Sequence, residues 1–339
     1  MRRLLTLLTL LLASGPLLVQ AQTSSAGVDA TASKWQLSVN LSKALASPLG
    51  KIVLNQIESE NPKATTKLNP ETIRKLEAFF NMVGLDPQSD ISQIIIYGNS
   101  FERHDATILA EIGDSTGNLE GLVLAAPGYS SVDLDPNTLL HSFLIESDKY
   151  SGKQNQADLD FGSKQKTPQI RVWCALPYSD QQESYYLVAS FDRERVVGLS
   201  QDLIAQGTSV LGKPLQEDVI ASLSLNDLSD IPVKKDNPGS AIAQTIEAFT
   251  LNLKSSQERL TVTLDLAACS PVKARQLSQL LTGLQAMVQL AAVEDPKAQQ
   301  ATKLLDGMVV QHTEGDLRVG ASLSADYDTL GELIKKAEY

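Results

Sequence analysis

One serine has a lysine at the spacing that serine acyl enzymes use. Ser270 and Lys273 stand three residues apart, so on a helix the amine would lie one turn from the hydroxyl and could help to activate it. Ser163 and Lys166 share this spacing in a loop-like stretch, so the spacing alone says little. The Ser-Asp-Asn and Lys-Thr-Gly partner motifs and the Gly-x-Ser-x-Gly elbow are all absent from the sequence. Because Ser270 precedes Pro271, we interpret it as a helix N-cap and assign no catalytic residue.

Metal and cofactor motifs are also missing from the sequence. The three histidines, His104, His141 and His312, are far apart, and no His-Glu-x-x-His or paired Cys-x-x-Cys spacing occurs. The chain has neither a Gly-x-x-x-x-Gly-Lys-Ser/Thr loop nor a Gly-x-Gly-x-x-Gly turn to cradle phosphates. We therefore predict no metal ligand and no cofactor-binding residue.

Cys174 and Cys269 are the only two cysteines. Each belongs to, or directly follows, a strand-like run, and an isolated pair in an oxidising compartment invites a disulfide. Two separate buried thiols are the alternative, since the sequence does not give the distance between them. Trp173, next to Cys174, lies in the middle of a strand-like run, where we expect a core role.

The N-terminus has the features of a secretory signal peptide. Positive charges at Arg2 and Arg3 precede an apolar run over Leu4–Leu12, and small residues predict cleavage after Ala21. The apolar run is too short for a spanning helix, which needs about 20 apolar residues. We therefore expect residues 1–21 to be removed on export and the mature chain to be secreted or periplasmic, with no later transmembrane segment.

The charge of the chain excludes two classes of partner. The formal net charge is −11, and loss of Arg2 and Arg3 with the signal peptide makes it −13. A protein that binds nucleic acid needs clustered Lys and Arg to neutralise phosphates, and an anionic membrane surface attracts the same residues. We therefore expect neither nucleic acid nor an anionic membrane surface as a partner.

The remaining pattern predicts an α+β protein built from repeated β-β-α units. Four strand pairs with short polar turns, each followed by a helical stretch, begin near Gln93, Ile170, Phe249 and Met308. Strands joined by short turns pair in antiparallel sheets, and a helix after each pair can cover one face. The helix predicted to begin at Pro271 has apolar residues at helical spacing, so we expect it to lie on the sheet, with a dimer seam or a ligand groove as the alternatives.

The length of the mature chain suggests two domains. We predict a disordered lead-in over residues 22–40, a first α+β domain over residues 41–212 and a second over residues 213–339. Each domain would be an antiparallel sheet covered on one face by helices. The boundary lies at Gly212-Lys213-Pro214, where glycine and proline favour a loop.

Several short runs resemble sequences of uncharacterised exported bacterial proteins. These runs are Gly84–Ile91, Ile95–Gly98, Ala126–Tyr129, Tyr186–Ala189 and Leu304–Gly307. The resemblance extends over most of the mature chain and implies a domain of unknown function in the bacterial envelope. No catalytic residue comes with it.

These observations favour a non-catalytic secreted or periplasmic protein with a binding or envelope-assembly role. The first alternative is a carrier that holds a lipid or another apolar ligand between sheet and helices. The second alternative is a hydrolase whose catalytic residues come together only in the folded chain.

Overall fold

The computed structural model describes residues 33–52, 80–102, 104–114, 116–135, 138–146, 169–207, 215–228, 245–291, 302, 305 and 307–330. The predicted signal peptide, its cleavage site and the predicted boundary at residues 212 and 213 lie outside these residues. Ser163 and Lys166 lie outside them as well.

The described chain contains strands and helices in a mixed order. The strands are β1 (Trp35–Asn40), β2 (Gln93–Gly98), β3 (Ala106–Gly113), β4 (Ser130–Asp135), β5 (Thr138–Glu146), β6 (Gln169–Ala175), β7 (Tyr178–Ser179), β8 (Ser184–Ser190), β9 (Val219–Asn226), β10 (Ile246–Ser255), β11 (Arg259–Ala268), β12 (Val309–His312) and β13 (Arg318–Asp326). The helices are α1 (Leu41–Ala46), α2 (Leu119–Leu124), α3 (Arg193–Gln206) and α4 (Pro271–Ala291). The prediction of a mixed α+β protein with an antiparallel sheet is confirmed.

All the described strands belong to one sheet. Its order is β12-β13-β11-β10-β9-β1-β2-β3-β8-β6-β5-β4, with the short β7 also paired to β8. Every pairing is antiparallel, as expected for strands joined by short turns. The edge strands are β12, near the C-terminus, and β4.

Strand β1 corrects the prediction of a disordered lead-in that extends to residue 40. Trp35–Asn40 pairs with β2 on one side and with β9 on the other, so this segment lies in the middle of the sheet. Its residues alternate: Trp35, Leu37 and Val39 point to one face of the sheet, while Gln36 and Ser38 point to the other. The sequence prediction missed this strand because it follows a polar run. An alternation of only six residues is a weak indication of a strand when the partner strands are distant in sequence.

The two faces of the sheet differ in composition. Face A contains Leu37 with its cross-strand partners Ile96 and Leu223, and face B contains Gln36 with its partners Tyr97 and Ser224. Helix α3 packs on face B over β6, β7 and β8, where Val196, Leu199 and Leu203 are fully buried. Helices α2 and α4 pack on face A at opposite ends of the sheet.

Hydrophobic burial explains how these helices are held. A leucine or valine side chain contributes roughly 1.5–3 kcal/mol when it is fully buried. Asp192 begins α3 as an N-cap, and its carboxylate accepts hydrogen bonds from the backbone N–H groups of Glu194 and Arg195. None of the helices in the described ranges combines the length and the hydropathy needed to cross a bilayer.

Candidate functional site

Ser270 has the structural role that the sequence predicts. Its hydroxyl oxygen accepts a hydrogen bond from the backbone N–H of Lys273 at 3.3 Å, directly before α4. The serine therefore satisfies one of the N–H groups that a helix start leaves without an intrahelical partner.

Cys174 and Cys269 are separate thiols in the structure. Cys174 is buried on β6, where desolvation raises the pKa of its thiol to about 12, whereas Cys269 follows β11 and is exposed. Seven strand steps separate β6 from β11, which is roughly 34 Å along the sheet at the usual strand spacing. A disulfide needs Cα atoms within about 7 Å of each other. Of the two alternatives that the sequence leaves open, the structure has the separate thiols, because the strand order places the two residues on distant strands.

The three histidines lie in different parts of the structure. His141 is buried on β5, where its Nδ1 lies 3.1 Å from the hydroxyl of Tyr129 and desolvation lowers the pKa of the ring. His104 contacts the ring of Phe191 edge-on, and His312 lies on the β12 edge. Within the described ranges, no group of three or more His, Cys, Asp and Glu side chains is arranged to hold a metal ion.

Exposed apolar side chains concentrate at the β12 end of the sheet. Of the eleven large hydrophobic residues that are exposed in the described chain, seven belong to α4, to β12 or to the turn that follows β12. These seven are Val272, Leu280, Leu284, Met287, Leu290, Val309 and Leu317. Val309 shares face B with Gln311, whereas α4 lies on face A. We call α4 and β12 together the β12 edge surface.

Helix α4 has two apolar stripes, and only one of them contacts the sheet. Ala274 and Leu277 are buried against Leu266 and Val319 on face A. The second stripe, Leu280, Leu284 and Met287, is spaced four and then three residues apart, which is the spacing of a helix–helix seam. Met287 is 62% exposed, so this stripe faces solvent.

The β12 edge is unprotected by charge. Val309–His312 contains no Lys, Arg, Asp, Glu or Pro, the residues that usually prevent an edge strand from pairing with another chain. The opposite edge strand, β4, has Asp133 and Asp135 in six residues. The only charged residues of α4 are Lys273 and Arg275, both near its start. The β12 edge surface thus combines apolar exposure with an absence of acidic side chains.

A second feature is a row of mostly polar residues across the whole of face B. Successive cross-strand partners from the β4 edge to the β12 edge are Ser130, Ser142, Trp173, Ser190, Thr107, Tyr97, Gln36, Ser224, Thr250, Asp265, Gly320 and Gln311. Each strand contributes one residue, so the sequence contains no local signal for the row. The hydroxyls of Thr107 and Ser190 are fully buried and lie 3.2 Å apart.

The middle of this row is closed to substrates. Tyr97 is 1% exposed, and burial raises the pKa of its hydroxyl far above the usual value, so it stays protonated. Beside it, the Arg195 guanidinium bonds the Asp105 carboxylate at 2.5 Å, and both side chains are largely buried. A neutral phenol and a neutralised ion pair beneath α3 stabilise packing. They do not provide an accessible base or nucleophile.

No protein-family model and no curated protein matches the chain. Among solved structures, crystal form IV of TP0453 is 10% identical, with a TM-score of 0.43, over 89% of this chain and 92% of that one. Crystal form III is 10% identical over 93% and 100%, with a TM-score of 0.38, and crystal form I is 10% identical over 94% and 100%, with a TM-score of 0.37. Similarity at this level carries no argument about function.

Proposed function

We propose that this chain is a non-catalytic protein of the secreted or periplasmic compartment, and that it assembles with a second copy of itself through the β12 edge surface. The observation that supports the proposal is the concentration of exposed apolar side chains on α4 and β12. Large apolar patches on soluble proteins mark places where another molecule binds.

Electrostatics favours a second copy as the occupant. Two copies, each with a formal charge of −11 before export, repel one another over most of their surfaces. This repulsion is reduced at the β12 edge surface, because neither β12 nor α4 contains an acidic residue. A two-fold axis would bring the same uncharged patch of each copy together, as in the common isologous dimer.

The geometry of the surface suits such a contact. Strand β12 pairs only with β13 in the described part, so its outer edge can pair antiparallel with β12 of the second copy. The stripe of Leu280, Leu284 and Met287 would then pack against the same stripe of the other copy.

We also propose the finer architecture that the sequence suggests. The pairs β2–β3, β6–β8, β10–β11 and β12–β13 are successive β-β-α units, with α2, α3 and α4 as the helices of the first three. Strands β2–β8, within residues 41–212, form a first domain, and strands β9–β13, within residues 213–339, form a second. The longer helices support this division: α3 packs on face B of the first part and α4 on face A of the second, while the short α2 lies on face A of the first.

The exposed apolar residues favour docking over a carrier of apolar ligands. A carrier needs apolar side chains around an enclosed space between helix and sheet. Here the inner stripe of α4, with Ala274 and Leu277, is buried directly on the sheet, and the apolar residues that remain available lie on the outer side of the helix.

Native mass spectrometry and light scattering on the exported protein test the proposal. We expect a dimer at micromolar concentration and an N-terminus that begins at Gln22. The double variant Leu284→Glu/Met287→Glu should be monomeric, because four carboxylates would meet in the contact. The matched control, Val132→Glu, adds charge at an exposed apolar residue of the β4 edge and should remain dimeric.

Three results would overturn the proposal. A wild-type chain that stays monomeric at about 100 µM would exclude self-assembly, because this concentration is far above the micromolar dissociation constant that we expect for the dimer. A dimer that persists in the double variant would place the contact elsewhere. A monomer with a stoichiometric mass adduct that organic solvent removes would favour the apolar carrier.

A further inference from the structure

The end of the sheet opposite to β12 contains two arginines beside one tryptophan. The guanidinium carbons of Arg171 and Arg193 lie 5.9 and 5.7 Å from the ring centroid of Trp173. Both distances are within the range of a cation–π contact. Arg171 and Trp173 are neighbours on the same face of β6, and Arg193 is the first residue of α3, so two separate elements bring the cations to one indole.

Arg171 is held in place by hydroxyl groups. Its Nη1 donates to the Ser142 hydroxyl oxygen at 2.8 Å and lies 3.4 Å from the Ser130 hydroxyl oxygen. The two serine hydroxyls are 2.8 Å apart, and Ser142 is fully buried. No carboxylate lies within ion-pair distance of Arg171 in the described part of the chain. A guanidinium has five N–H groups, so Arg171 retains donors that the serines do not use.

Arg193 forms only a weak ion pair, with its neighbour Glu194. The Glu194 carboxylate lies 3.5 Å from its Nη1, and both side chains are well exposed to solvent. An ion pair of this kind contributes about 0–1 kcal/mol, so a better-placed anion can displace the carboxylate. Both cations lie beside the Trp173 ring, on a chain whose net charge would repel anions elsewhere.

We infer that Arg171, Trp173 and Arg193 form a binding site for an oxyanion, the phosphate or sulfate group of a ligand. Guanidinium groups bind such oxygens with paired, charge-assisted hydrogen bonds. The serine pair positions Arg171 through the hydrogen bond that Arg171 donates to Ser142. The site lies on face B at the β4 end, so it is independent of the proposed β12 contact.

Tryptophan fluorescence of the full-length mature chain tests this inference, since Trp173 is one of only two tryptophans and Trp35 is buried. We expect sodium phosphate to change the emission in a saturable way, whereas sodium chloride at equal ionic strength does not. Trp173→Phe supplies the background signal. Vesicles of phosphatidylglycerol in phosphatidylcholine replace free phosphate in a parallel titration, which distinguishes a lipid headgroup from a free anion.

Variants with opposite expected effects make the result specific. Arg171→Gln should weaken phosphate binding about tenfold or more, since a hydrogen bond to a charged group contributes roughly 1.5–3 kcal/mol. Glu194→Gln should strengthen binding, because it removes the competing carboxylate. Arg318→Gln, which makes the same charge change at an exposed position on β13, should leave binding unchanged.

The inference fails on any of three outcomes, provided that circular dichroism shows folded variants. The first is a phosphate response that is linear or that chloride reproduces. The second is equal binding by Arg171→Gln and the wild type. The third is equal weakening by Arg171→Gln and Arg318→Gln, which would indicate a general charge effect. The monomeric Leu284→Glu/Met287→Glu chain should bind phosphate normally, so failure of self-assembly and failure of this site are distinguishable.

Discussion

Two leucines of α4 offer a direct test of how this helix lies on the sheet. Leu277 is 3% exposed and packs on Leu266 and Val319, whereas Leu284, two turns later, is 45% exposed. Leu→Ala has the same small effect on helix propensity at both positions, so propensity cancels in the comparison. What remains is the difference in burial.

The burial of each side chain sets the expected cost. Leu277→Ala removes a fully buried side chain and leaves a cavity, so it should lower the free energy of unfolding by about 3 kcal/mol, within the range of roughly 2–5 kcal/mol for such changes. Leu284 has about half of its surface in water already, so Leu284→Ala should cost about 1 kcal/mol or less in the monomer. We therefore expect a difference of about 2 kcal/mol between the two variants.

Urea denaturation followed by circular dichroism measures this difference. The titrations should be run at the lowest usable protein concentration, so that dimerisation does not add to the stability of the wild type. Equal slopes with denaturant concentration are needed for the midpoints to report stability alone. Costs that agree within about 0.5 kcal/mol, the usual spread for surface changes, would refute the reasoning, because the two leucines would then be equally buried.

Three further predictions concern thiols, a turn and pH. Ellman's reagent should label one thiol per native chain, Cys269, and a second thiol only in urea, because burial raises the pKa of Cys174 to about 12. If no thiol were labelled before reduction, the two cysteines would form a disulfide. The Gly117→Ala variant should unfold at a lower urea concentration than Gly315→Ala. Both glycines have positive φ, but a Cβ at Gly117 would also overlap a backbone carbonyl oxygen. Equal unfolding midpoints would contradict this prediction. Burial lowers the pKa of His141, so the neutral ring stabilises the fold above the unfolded pKa of about 6.5, and this stability is lost as the pH falls below it. The free energy of unfolding should fall less between pH 7.5 and 5 in His141→Gln than in the wild type, and identical slopes would exclude this residue as the cause.

Much of the secondary structure could be predicted from local patterns. The alternation of Arg259–Ala267 and the helical spacing after Pro271 correspond to β11 and α4, because side-chain periodicity follows directly from backbone geometry. The N-cap at Ser270 was also predictable, since capping involves only residues within one turn. Strand β1 was not, since its six residues are stabilised by β2 and β9, which are about 60 and 180 residues away along the chain.

The sequence by itself determined the antiparallel α+β class, the acidity of the chain, the prediction of export and the amphipathic character of α4. Tertiary structure alone decided which of the apolar residues of α4 are buried: Leu277 meets the sheet, whereas Leu284 and Met287 do not, because the apolar sector of the helix is wider than its contact with the sheet. It also decided the separation of Cys174 from Cys269 and the approach of Arg193 to Trp173. Strand order and register set these distances, and both depend on pairings between segments far apart in sequence, for which no local pattern carries the information.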